Sequence, residues 1–173
     1  MNKLMKTLIL SASSLFLVGY ATATDMVNIS VTGRITATPC MVDTDSITKQ
    51  VDMGQTIAHN LNHASGIPVW KDFQLLLVSC PRDTHWATAT FSGEADSNDP
   101  TAFKNLGAAE NVALQMTNTD HSVIYSNASQ MKVAIDDSTR RGVFPLSARI
   151  VSPSLNATGG SFNAAISVTF TYQ

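Results

Sequence analysis

Two cysteines, Cys40 and Cys80, carry the clearest chemistry in this chain of 173 residues. An even number of cysteines in an exported, oxidising setting reads as one disulfide. In the chain-entropy model, closing a loop of this length stabilises the fold by roughly 4 kcal/mol. A metal-binding or redox-active thiol pair would need a close C-x-x-C spacing, which the sequence lacks. His59 and His63 are four apart, a spacing that suits a metal on a helix. However, Asn60, Asn62, Gly66 and Pro68 place them in a loop, and no third ligand lies near in sequence. His85 and His121 read as isolated surface or strand-end residues. Asp136-Asp137 has the residue types of paired catalytic carboxylates, yet Ser138 and Gly142 put them in a turn, where Asp has an ordinary structural role. Arg140-Arg141 reads as a solvated turn rather than an anion site. With no G-x-S-x-G elbow and no lone reactive cysteine, no enzyme activity, metal or cofactor is expected.

The N-terminus sets the compartment. Lys3 and Lys6 precede an apolar run from Leu8 to Val18, which leads to Ala21-Thr22-Ala23, a small-x-small cleavage site. Residues 1–23 therefore read as a secretory signal peptide; the run is too short and too rich in serine for a membrane anchor. The mature chain would begin near Thr24, long enough for one domain with a sizeable core. Charged residues make up 14% of the chain against about 25% in a typical globular protein, and no basic stripe marks a nucleic-acid partner.

Those few charges sit among short alternating runs bounded by Gly, Pro, Asn and Asp, while helix-period stripes are hard to find. Strands are expected near 27–38, 47–53, 70–79, 84–92, 111–117, 131–135, 143–151 and 161–173, an all-β chain of immunoglobulin-like sandwich type. A closed barrel has the same periodicity. Trp70 and Trp86 flank Cys80; one is expected to pack near the disulfide, and stacking on a carbohydrate is the sharper alternative. The two ends of the mature chain are the most regular. Val27, Ile29, Val31, Gly33 and Ile35 share one face of an N-terminal arm, and Phe162, Ala164, Ile166, Val168, Phe170 and Tyr172 share one face of the final strand.

Several features coincide in order and spacing: the exported alternating arm with its glycine, Thr38-Pro39-Cys40, Val51-Asp52-Met53-Gly54, Cys80, Gly160 and the penultimate Tyr172. Together they resemble the pilin subunits of chaperone–usher fimbriae. The stretches Phe91 to Ser97, Ala134 to Ser138 and Val168 to Tyr172 look like the G-type minor, tip-adaptor subunit of type 1 fimbriae.

The resemblance implies an incomplete immunoglobulin-like β-sandwich with six core strands, missing the seventh. Residues 24–35 would be a donor-strand extension and 36–173 the pilin domain. Gly160, Phe162, Ala164, Ile166, Val168, Phe170, Tyr172 and Gln173 would form the acceptor groove and the strand bound by a periplasmic chaperone. The chaperone would grip the carboxylate of Gln173. An outer-membrane usher, a tip adhesin and other fimbrial subunits would be the further partners, on a route through the periplasm to the cell-surface fimbrium. Strand addition of this kind is a known recognition mode, of which the handing of a strand between pilin subunits is an established instance. Burying Val27, Ile29, Val31 and Ile35 at about 1.5–3 kcal/mol each gives roughly 6–12 kcal/mol, comparable with the stability of a whole domain, about 5–15 kcal/mol. The reading from another class is a self-contained secreted sandwich that binds a ligand or glycan through its loops.

Overall fold

The structure, a computed structural model, describes residues 27–35, 38–62 and 69–173. The expected signal peptide, residues 24–26 of the arm and the turn containing His63 lie outside them. The chain divides into two units, Met1–Arg34 and Ile35–Gln173. In the first, residues 27–34 carry no helix or strand, and Val27, Ile29 and Val31 are 81%, 82% and 88% exposed. The strand expected over 27–38 is therefore not formed in its described part. An alternating sequence makes a strand only where an edge pairs with it.

The second unit is all-β apart from two single-turn helices. Its larger sheet has the order β1-β2-β8-β5-β4, with β6 also on β5: β1 is Met41–Val42, β2 Lys71–Val78, β4 Phe103–Lys104, β5 Ala113–Thr117, β6 Ile124–Tyr125 and β8 Gly142–Val151. The smaller sheet has the order β7-β3-β9, formed by Gln130–Ala134, Trp86–Ser92 and Ser167–Tyr172. All pairings are antiparallel. Among the described residues six strands are five residues or longer.

Alternation builds the core. Phe73, Leu75 and Leu77 of β2 point inward and lie opposite Leu146, Phe144 and Gly142 of β8. From the other sheet, Ala87, Ala89 and Phe91 of β3 are fully buried. Pro145 interrupts neither ladder, because β5 pairs with β8 only as far as Thr117–Ser147 and leaves Pro145 with β2 as its single neighbour.

The expected strand over 47–53 is absent. Asp43 caps a helical turn, α1 (Thr44–Ile47), by accepting from Asp45 N at 3.2 Å, and Asp52 then accepts from the N–H of Gly54, whose φ is +68°. These local side-chain bonds outcompete a ladder. A second helical turn, α2, spans Ala58–Leu61. The expected strand over 161–173 shortens to β9, because Asn163 O and Ser161 O accept from Leu106 N and Ala109 N in a loop.

Neither tryptophan belongs to the core cluster around the disulfide. Trp86 is 45% exposed. Trp70 lies on the outer surface of the larger sheet, stacked on His121 at 3.9 Å and 9°, with the Arg149 guanidinium 4.5 Å from its ring centre. Two groups that close cannot share one face of the ring, so both faces are occupied. His121 is thus no isolated residue; its Nε2 also lies 3.2 Å from Ser147 Oγ, which donates to Asp72. The cover buries Gln115, Thr117 and Ser147 on what would otherwise be a wet face.

Cys40 and Cys80 are disulfide-bonded, tying the start of β1 to the end of β2. Replacing both by serine should lower the unfolding free energy by about 2–4 kcal/mol, measured by denaturant titration of the full chain with donor peptide present. Asp136 accepts from the backbone N–H groups of Ser138 and Thr139 and from both hydroxyls, and this holds its carboxyl down at about 2. Its pKa is lowered on folding, so its contribution is complete above the ordinary value of 3.8 and is lost as pH falls through about 2. Carboxyl NMR should find Asp136 titrating near the lower value, and Asp136→Asn should abolish that part of the acid dependence.

Candidate functional site

Between the two sheets an open groove of about 1270 Å³ runs along β9. Its floor is apolar: Phe73 and Leu75 of β2, Leu114 and Met116 of β5, and Leu146 and Ala148 of β8. One rim is the terminal segment, and the other is the stretch 49–58, where Val51 and Met53 are half-buried and Ile57 is exposed. An apolar surface of this extent open to water marks an interaction site in a soluble protein.

The terminal segment is positioned by two sets of hydrogen bonds on the same side. Ser167 to Tyr172 pair with Ser92 to Ala87 of β3, while Ser161 and Asn163 are held by the loop 105–109. The other side of β9 has no strand partner among the described residues. Along 161–173 every even-numbered residue is half-buried and every odd-numbered one exposed. Phe162, Ala164, Ile166, Val168 and Phe170 all line the groove and pack on the core; Phe170 lies 5.3 Å from the ring of buried Phe144. These side chains are covered from below and open from above, as expected of a strand that lacks one neighbour.

Tyr172 packs against the core beyond the groove's lining, and burial pushes its phenol up, so it stays neutral. Gln173 also lies outside the lining: its carbonyl accepts from His85 N and Trp86 N at 2.8 and 2.9 Å, and its side chain accepts from Lys132 Nζ at 3.0 Å. The sequence reading missed the whole opposite rim at 49–58 and the anchoring loop at 105–109. The signal for the loop was Gly107, whose Cβ would run into the Ser161 carbonyl. Gly160 meets the same constraint from the other partner, since a Cβ there would lie 2.5 Å from Ala109 N. Each glycine lets two backbones touch where a side chain would separate them. Gly33, by contrast, has open space around it.

Among the described residues no cluster of His, Cys, Asp and Glu could hold a metal ion. The charged groups at the groove are Lys49 and Asp52, both on the rim at 49–58. The arrangement can therefore hold an extended apolar chain and offer it hydrogen bonds along β9. Gly107→Ala should push the 160–163 segment out of line and weaken groove occupancy, with a loss of about 1–3 kcal/mol in donor-peptide binding measured by calorimetry.

The fimbrial protein family model matches residues 29–173. Protein FimG of Escherichia coli strain K12 is 37% identical over 147 residues, 85% of each chain. Among solved structures, the P pilus rod subunit PapA is 19% identical, with a TM-score of 0.67 over 79% of this chain and all of that one. A chain of a chaperone–usher pilus is also 19% identical, with a TM-score of 0.62 over 90% of this chain and all of its own. The family match over residues 29–173 and the identity to FimG make the chain a member of the fimbrial protein family, a structural subunit of a fimbrium, with the fold seen in chaperone–usher pilus subunits.

Proposed function

We propose that this subunit is an adaptor in an adhesive type 1-like fimbria, joined to its neighbours by donor-strand exchange. Its groove along β9 accepts the arm of one neighbour, and its own arm, residues 24–35, fills the groove of the other. The observation that carries this reading is the alternating half-burial of 161–173 beside an edge with no strand partner among the described residues. A strand laid there would pair with β9 and seat its alternate side chains on the apolar floor. Val27, Ile29, Val31 and Ile35 supply such side chains, and all are exposed. Gly33 would meet the part of a partner groove that leaves no room for a side chain.

An open edge over an exposed core is an aggregation hazard. Before assembly a periplasmic chaperone would occupy the groove, and an outer-membrane usher would oversee the exchange. The likeness to FimG supports the adaptor position near a tip adhesin. The chain would act as a structural element with no catalytic role. Glycan binding through Trp70 is disfavoured, because His121 and Arg149 already cover the ring.

The decisive experiment replaces Gly33 by leucine in cells that assemble the fimbria. The variant should fold and bind chaperone as wild type does, yet fail to extend the fibre, as seen by electron microscopy and subunit-specific labelling. Normal incorporation would sink the reading. In parallel, Ile166→Asp should abolish acceptance of a synthetic donor arm while leaving donation through residues 24–35 intact.

A further inference from the structure

The arm meets the body at Thr38-Pro39-Cys40, and two of these three residues are tied down. Cys40 is bonded to Cys80, and Thr84 Oγ1 donates to Thr38 O at 3.4 Å. Thr84 is 1% exposed, and Thr38 O is the partner of its hydroxyl among the described residues. A buried hydroxyl carries a desolvation penalty unless an acceptor serves it, and valine would fill the same volume without needing one. Thr38 and Pro39 are themselves exposed, so packing does not hold them.

One tie would leave a pivot; two ties, two residues apart, fix a direction as well as a point. Between them Pro39 locks its own φ and restricts Thr38 to extended backbone. The anchors on the body are firm. Cys80 N donates to Arg140 O at 3.1 Å and Arg140 Nε donates to Cys80 O at 3.0 Å, so Arg140, expected in a solvated turn, holds the cysteine from both sides. Thr84 N donates to Pro81 O at 3.2 Å, closing the short loop that carries the hydroxyl. Only residues 36 and 37 separate Thr38 from Ile35, the last apolar residue of the arm. From Thr38 the reach to Ile35 is at most about 10–11 Å, against about 17–18 Å from Cys40 alone. The volume open to the base of the arm grows as the cube of that reach, so the second tie cuts it roughly five-fold.

We infer that Thr84 is a positioning residue for strand donation: its hydroxyl, acting through Thr38, sets the direction in which residues 24–35 leave the body and so preorganises the arm for the groove of the next subunit. Preorganisation of this kind favours binding by removing freedom that would otherwise be lost on association. Thr84 touches no partner, so its role does not depend on what surface the accepting subunit presents.

The inference rests on the donor-strand reading, and its test separates the two. Cells that assemble the fimbria express wild-type and Thr84→Val subunits at equal levels, each with its own epitope label, so that both compete to donate an arm to the same acceptor, and the labels are counted in isolated fibres. The variant should be under-represented about two- to five-fold, the scale of the lost confinement, while its own groove binds a synthetic donor arm as wild type does. Thr84→Ser, which keeps the hydroxyl, should restore parity; a role in packing alone would make serine, the smaller residue, the poorer replacement. NMR relaxation of the full chain with donor peptide bound should find the Ile35 N–H more mobile in Thr84→Val than in wild type or Thr84→Ser. Equal representation of Thr84→Val overturns the inference, as does a serine variant that fares worse than valine. Normal incorporation of Gly33→Leu would instead overturn the donor-strand reading, whatever the Thr84 variants show. If Thr84→Val does not fold, Pro39→Gly decides, since it frees the backbone at an exposed position: under-representation upholds the inference and parity overturns it.

Discussion

Everything in this structure turns on a β-strand edge that is saturated on one side only. β9 is held by β3 through six residue pairs, and its other edge faces a groove floored by Phe73, Leu75, Leu114 and Leu146. A backbone edge in contact with an apolar floor is unstable in water for two reasons at once, unpaired hydrogen-bonding groups and exposed hydrocarbon. The same extended segment relieves both. The proposed complementation by a strand would accordingly be closer to finishing a fold than to docking two finished surfaces, with the energy of a missing core element available to it.

The rest of the domain keeps this gap open and rigid. The ladder of β2 on β8 and the disulfide at its end make the larger sheet a stiff floor. The touching backbones at Gly107 and Gly160 pin the start of the terminal segment, and the backbone pairing of Gln173 with Trp86 pins its end. Fixed at both ends, the segment presents its alternate side chains in one register. Because the side-chain period is two, a slip of one residue would turn every contact the wrong way.

Much of this was legible in the sequence, for identifiable reasons. The long strands declared themselves because alternation with period two survives wherever one face is wet, as in β2, β3, β8 and the terminal segment. The cysteines were readable from number and compartment. What escaped had local causes. The capped turn at Asp43 and the Asp52–Gly54 turn displaced an expected strand, and the two-residue strands β1, β4 and β6 are too short to carry a period. The stacking of His121 on Trp70 joins residues 51 positions apart, which no window of sequence displays. The arm showed the converse: its alternation is as clean as any, yet the described part forms no strand, because alternation records what a segment can pair with, and the pairing needs an edge.

The disulfide has a mechanical meaning as well as a thermodynamic one. If neighbours are joined by donated arms as proposed, tension on the fibre would enter the domain at Cys40. There the sulfur bridge passes the load straight to Cys80, so the covalent path bypasses residues 41–79. That bypassed segment contains β1, β2 and the 49–58 rim of the groove. The bond would therefore act as a strain relief, letting the subunit bear load without the force paying out the strands that line the groove.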